Sequence, residues 1–291
     1  MRITQGIVHR NFLRNLERIT DNINHEFQQI SSGKRIIRAS DDPVSVQSAL
    51  KFKDRLNRIE EYERNIDNAI SWLNMVESAF NAMEDILNRL EEIAVSMGSD
   101  NVNASARKIA AQEVSRIKEH ALMIANTKFK GRYIFSGFKT DTPPFTDSDN
   151  NYHGDNGIMQ VEVDDGLKIS YNFTGDIFTD QVNIFQLMDD LKDALNKNDS
   201  SQIRALLDDI HQAYERVNIA HAELGAKVKT LENMKQDLSS RKLSFNEFIS
   251  KREDLDLAEA IPKLYIYQSG YQAILHSFSK ITSINLFDII G

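Results

Sequence analysis

Two long stretches of this 291-residue chain place apolar residues in alternating steps of three and four, a spacing that only an α-helix turns into one continuous face. In the first, Phe52, Leu56, Ile59, Ile66, Ile70, Leu73, Val76, Phe80, Met83, Leu87, Leu90, Ala94 and Met97 keep the register, and Glu63 alone interrupts it. Two successive steps of three around Leu73 read as a stammer, a local overwinding of a heptad repeat. A single helix from Phe52 to Met97 is about 70 Å long at roughly 1.5 Å per residue, a coiled-coil length. In the second stretch Ile203, Leu207, Ile210, Tyr214, Val217, His221, Leu224, Val228, Leu231, Lys235 and Leu238 keep the register without a gap. His221 and Lys235 are its polar members, and polar residues in such a seam fix register or partner number at some cost in stability.

The ends of the first helix are marked. Asp41 and Asp42 precede Pro43, placing carboxylates at the positive end of a helix and a proline at its first position. Gly98 stops it, and a turn over residues 98–103 leads into a second helix carrying Val114, Ile117, Ala121 and Ile124. Helix breakers collect elsewhere: six of the 12 glycines and two of the four prolines fall between residues 131 and 175. There Val161 and Val163, then Leu167, Ile169, Tyr171 and Phe173, alternate across Asp164-Asp165-Gly166, the chemistry of a β-hairpin turn. Tyr133 and Phe135 are candidates for another strand. Residues 141–200 hold 13 acidic and three basic residues, a net of −10, which predicts an outward, solvated face.

The expected fold is therefore mainly α, with long antiparallel coiled-coil helices from both flanks and a small β-containing insert. The expected segments are an N-terminal assembly helix and connector (1–43), the first half of a helical core (44–130), the insert (131–180), the second half of the core (181–250) and a C-terminal assembly helix (251–291). Both extremities stay apolar where most chains fray. Leu16, Ile19, Ile23, Phe27 and Ile30 form one terminal stripe, and Leu264, Tyr267, Tyr271, Ile274, Phe278 and Ile281 the other. Covering these eleven side chains is worth about 15 to 30 kcal/mol at roughly 1.5 to 3 kcal/mol each. Antiparallel flanks let one terminal helix cover part of the other, but a two-helix ribbon leaves its outer sides bare. Those eleven residues are the expected subunit interface, closed by further copies of the chain.

Composition removes several other classes of function. There is no cysteine, hence no disulfide, thiolate metal site or cysteine nucleophile. The formal charge of −8 argues against a broad nucleic-acid footprint, and no apolar run reaches the roughly 18 residues of a membrane span. The opening MRITQGIVHRNFLRN lacks the apolar block of a cleavable signal. Asp147, Asp149 and Asn151 are spaced like the start of a calcium loop, but Tyr152 stands where that loop needs glycine and Ile158 where it needs glutamate. His153 and Asp155 make at most a weak metal pair with no third ligand. Tyr265, Tyr267, Phe278 and Trp72 read as packing residues. No nucleotide, protease or hydrolase motif is present, so neither a catalytic residue nor a cofactor is expected.

The string SSGKRIIRASDDP at residues 31–43 resembles the signature that follows the first helix of the bacterial flagellin superfamily, with Gly33 ending that helix and Lys34 and Arg35 beside its negative end. GRYIFSGFKTDTPPF (131–145) and YHGDNG (152–157) look like the hook-filament junction members of that superfamily, as do NIDNAISWLNMVESAF (65–80) and DLAEAIPKLYIYQSGYQAIL (256–275). The resemblance implies paired terminal helices in the inner layers of a tube and an outer β-containing domain. It implies a ring of copies between another hook-associated protein on the hook side and flagellin on the filament side. It also implies export through the flagellar type III apparatus without a cleaved signal, after a chaperone has held the C-terminal helix at Leu264, Tyr271, Ile274 and Phe278. Residues 87–96 resemble a flagellin segment that takes part in subunit contacts. Pro262 departs from the pattern, since it falls where the family continues a helix, which then either starts afresh or kinks; Gly270 adds to the departure. The alternatives are a minor filament flagellin, an exported enzyme or binding module acting through the acidic insert, and a free-standing cytoplasmic coiled-coil scaffold.

Overall fold

The computed structural model describes residues 5–146 and 149–290, with side chains considered from residue 6 to residue 280. Six α-helices and two small antiparallel hairpins follow one another as α1 (Gln5–Ser32), α2 (Pro43–Met97), α3 (Ala104–Ala125), β1 (Lys128–Phe129), β2 (Arg132–Tyr133), β3 (Gln160–Asp164), β4 (Leu167–Ser170), α4 (Ile184–Lys197), α5 (Ser200–Glu253) and α6 (Leu257–Ile290). The expected mainly α architecture with a β insert is what the chain adopts. Two units divide it: residues 1–58 with 240–291, and residues 59–239.

In the second unit the expected seam is the core. Ile66, Leu73, Val76, Phe80, Met83, Leu87, Leu90 and Ala94 of α2 are buried, as are Ile203, Ile210, Val217, Leu224, Leu231 and Leu238 of α5. The two helices run antiparallel, since Asp67 meets Lys235, Glu84 meets His221 and the Gly98 carbonyl meets Arg204. Both polar seam residues thus have cross-helix partners: His221 Nδ1 lies 2.9 Å from Glu84 Oε1, and Lys235 Nζ lies 2.5 Å from Asp67 Oδ1. Trp72, Ile86 and Ile93 of α2 are buried as well, because a central helix is covered on more than one side.

The insert is less of a solvated appendage than its charge predicts. Phe135, Phe145 and Phe178 are fully buried, and the first and last of these rings stand 5.8 and 6.3 Å from Phe80 of α2. Its aromatic residues close the helical core while its carboxylates stay outside. β3 and β4 pair across Asp164-Asp165-Gly166 with a bulge between Glu162 and Asp164, and Gly166 takes the positive φ of +73° that this turn demands. Tyr133 lies in β2, whereas Phe135 lies beyond it in the core.

YHGDNG is a packing knot. The Tyr152 hydroxyl reaches the carbonyls of Phe135 and Asp155, each at 2.8 Å, and burial pushes its pKa up to about 12. A Cβ on Gly154 or Gly175 would collide with the Tyr152 side chain at 2.2 or 2.6 Å. Asp155 receives the backbone N–H groups of Phe138 and Gly157, so His153 is left to pair with Asp149 at 2.8 Å instead. Asp147 lies outside the described residues, and among these no three histidines, cysteines or carboxylates group as metal ligands. No described helix is long and apolar enough to cross a membrane.

Candidate assembly interface

The first unit holds both ends of the chain. α1 and α6 lie antiparallel: Phe12 stacks on Phe278 with ring centroids 3.8 Å apart, Gly270 faces Ile19, and Lys34 meets Asp254. Gly270, which departs from a good helix sequence, lies at this close approach: a Cβ there would stand 2.7 Å from Ile19 Cδ1, which would have to turn aside.

Of the residues expected at an interface, Leu16, Ile19, Ile23, Ile30, Leu264, Tyr267, Tyr271, Ile274 and Phe278 are each half-buried. Phe27 is 62% exposed. The side chain of Ile281 lies outside the described residues. One helix therefore shields part of the other, and none of the named side chains that are described is buried within the single chain.

Further apolar residues point outward. Leu13 on α1, and Ile261, Tyr265, Ile266 and Leu275 on α6, are exposed, with Tyr265 and Ile266 at 65% and 67%. Reading Tyr265 as a packing residue is corrected here: most of its surface is left uncovered in the chain. The signal was present in the run Leu264-Tyr265-Ile266-Tyr267. Four consecutive large residues span about 300° of a helix at roughly 100° per residue, so one partner helix cannot cover them all.

Where the first unit changes direction, its two chain breaks are fastened together. Gly33, at φ +68°, ends α1, and residues 33–35 run antiparallel to 253–255: Arg35 N–H donates to the Glu253 carbonyl at 2.7 Å and Leu255 N–H to the Gly33 carbonyl at 3.0 Å. Lys34 bonds Asp254 at 2.6 Å, Lys53 bonds Glu253 at 2.5 Å, and Arg35 bonds the Arg252 carbonyl at 2.8 Å. Lys34 and Arg35 thus serve the negative end of α5, where their expected place was the end of α1. Asp42 does what its position predicts, whereas Asp41 turns back onto the loop before the helix. Asp41 accepts the Arg38 and Ile37 amides, Asp42 accepts the Ser45 hydroxyl and amide at the start of α2, and these bonds hold both carboxyls below the usual range.

The C-terminal helix starts afresh and does so before the proline. α5 ends at Glu253, and Asp256 caps the new helix by accepting the Ala258 amide at 2.8 Å. Pro262 then sits in the second turn of α6, where the carbonyl left without a donor is that of exposed Ala258.

Residues 3–140 match the family described as the bacterial flagellin N-terminal helical region. The chain is 24% identical over 288 residues to the flagellar hook-associated protein 3 of Escherichia coli (strain K12), covering 90% of this chain and 91% of that protein. It is 27% identical over 296 residues to the flagellin of Bacillus subtilis (strain 168), covering 94% and 95%. In fold it is similar to the crystal structure of flagellar hook-associated protein 3 from Legionella pneumophila, with a TM-score of 0.63 at 19% identity, covering 69% of this chain and 97% of the solved one. With its paired terminal helices, long antiparallel core and packed β insert, the chain is similar in sequence to bacterial flagellins and flagellar hook-associated proteins, and similar in fold to solved hook-associated proteins.

Proposed function

We propose that this chain is a non-enzymatic adaptor subunit of the bacterial flagellum, joining hook to filament through its terminal helices. The observation that carries the proposal is the exposure of Phe27, Tyr265 and Ile266 on a helix pair whose facing sides are already in contact. An unpartnered apolar face of this kind marks a surface that neighbouring subunits cover. In this reading copies close into a ring, with another hook-associated protein on the hook side and flagellin on the filament side. Export runs through the flagellar type III apparatus without a cleaved signal, and a chaperone holds Leu264, Tyr271, Ile274 and Phe278 beforehand. Phe278 stacks on Phe12 once α1 and α6 are paired, so chaperone and α1 compete for the same ring.

Deleting residues 262–291 is expected to abolish assembly and chaperone binding while circular dichroism of residues 45–240 stays helical. Retained assembly overturns the proposal. Immunogold labelling is expected to decorate the base of the filament. The length-wide likeness to a filament flagellin keeps one second reading open, a minor filament subunit, and long filaments formed by the purified protein unaided would favour it.

A further inference from the structure

We infer that a cleft beside Trp72, in the second unit, receives a carboxylate side chain from a second copy of the chain, and that the hairpin tip at Asp165 supplies it. The cleft has a volume of about 470 Å³ and is lined by Asn68, Trp72, Phe129, Lys130, Arg132 and Tyr171 among others, with no carboxylate in its lining. That volume is within the usual range for small binding sites. Phe129 and Tyr171 stand edge-on to Trp72, with ring centroids 5.9 and 6.0 Å away, and form apolar walls.

The polar groups at this cleft ask for an anion. Trp72 is 7% exposed, yet its indole N–H is buried and has no acceptor. Lys130 adopts a φ of +50°, uncommon for a lysine, in the turn between β1 and β2, and donates to Asn68 Oδ1 at 3.2 Å. Arg132, two residues on, is exposed and has no ion-pair partner among the described residues. An exposed guanidinium with no ion-pair partner, beside aromatic walls, suits a carboxylate carried on an apolar stem.

The occupant follows from charge. In a chain of net −8, cations that stay unpaired are conspicuous, and the excess of acid lies in residues 141–200. At the tip of the β3–β4 hairpin, Asp165 is exposed and its side chain likewise has no partner among the described residues. One chain thus presents two complementary patches that do not meet within it. Joining the tip of one copy to the cleft of the next is a heterologous contact, the kind that repeats into rings or helices. For its occupant, the inference rests on the proposed assembly of copies side by side.

Trp72 is the single tryptophan and the chain has no cysteine, so both reporters are clean. Full-length wild-type chain is titrated with full-length Trp72→Phe chain, which is silent in tryptophan emission but carries an intact hairpin. A saturable change in Trp72 emission is expected, weakened roughly tenfold or more when the titrant also carries Asp165→Asn, or when the reporter carries Arg132→Ala. In assembled flagella, a copy with Asp165→Cys and another with Asn68→Cys are expected to cross-link on oxidation. An unchanged midpoint with Asp165→Asn, or saturation by free glutamate as tight as by the second copy, overturns the inference. So does the absence of the cross-link in flagella that still assemble, a result that leaves the adaptor reading standing.

Discussion

Lys34 Nζ lies 2.6 Å from Asp254 Oδ1 across 220 residues of sequence, and the two backbones pair at the same point. The bond raises the lysine pKa above 10.5 and lowers the aspartate pKa below 3.8. The signs define a window. The aspartate contribution is present above its unfolded value and is lost as pH falls through the folded one. The lysine contribution is present below 10.5 and is lost as pH rises through its folded value. The clasp is therefore expected to be insensitive to pH between about 4 and 10 and to weaken outside that range. Both side chains are 45% exposed, so the ion pair itself is worth at most about 1 kcal/mol. Lys34→Ala should leave the backbone pairing in place and speed hydrogen exchange at the Arg35 and Leu255 amides by up to roughly fivefold. Exchange unchanged at those two amides would show that the pair contributes nothing to the clasp.

Tyr152 gives a second pH dependence, confined to alkali. Burial pushes its pKa from 10.0 up to about 12, so the unfolded chain releases this proton first. The folded chain then binds more protons between pH 10 and 12, and stability is expected to fall across that interval while staying unaffected below it. Tyr152→Phe keeps the ring between Gly154 and Gly175 but removes the bond to the Phe135 and Asp155 carbonyls. It is expected to cost about 1 to 2 kcal/mol at pH 7 and to flatten the alkaline loss. Urea unfolding of both proteins at pH 8 and pH 11 measures the two effects together.

How much of this was legible beforehand depends on the range of the interactions involved. The α2 and α5 seams, the Pro43 start, the Gly98 stop and the β3–β4 turn all follow from neighbours within a few residues, and spacing alone gave them. The polar seam members were legible as structural, but not their partners, because nothing local ties His221 to Glu84. The burial of Phe135, Phe145 and Phe178 escaped because the surrounding carboxylates dominate the charge of that stretch. Lys34 and Arg35 were referred to the nearest helix end, whereas their partners lie at the far end of the sequence. Among the terminal residues the half-buried stripe was found by period, with exposed Phe27 on its margin, and the outward residues of α6 were missed because a period search keeps only one face.

Arg107 is a residue that no periodicity argument would select. It is 2% exposed, and its guanidinium donates to the carbonyls of Met97, Ser99 and Asn198 and to the Asn198 side chain. These four bonds close the end of α2 and the left-handed cap of α4 at Asn198. Arg107→Ala leaves several carbonyls without donors and is expected to destabilise the second unit by about 3 kcal/mol or more. Arg107→Lys should recover little of that, because a single ammonium group cannot span a fork of acceptors. Denaturant titration of the three proteins tests the order expected: wild type well above Lys, with Lys only slightly above Ala.

The two sides of α6 should separate cleanly under mutation. Phe278 stacks on Phe12, so Phe278→Ala opens the helix pair and is expected to lower helicity in the free chain. Tyr265 and Ile266 are mostly exposed in the single chain, so replacing both with serine removes little contact within it. The free chain should keep its helicity and its unfolding midpoint to within about 0.5 kcal/mol. In the proposed assembly neighbours would cover these two residues, and burying each would be worth roughly 1.5 to 3 kcal/mol for every subunit. The double serine variant is therefore expected to be exported and folded yet absent from the flagellar base, with motility lost. Sedimentation and circular dichroism of the purified variant, set beside labelling of cells, distinguish this outcome from simple misfolding. Normal incorporation of the variant would mean that the outward face of α6 is not where neighbouring subunits bind.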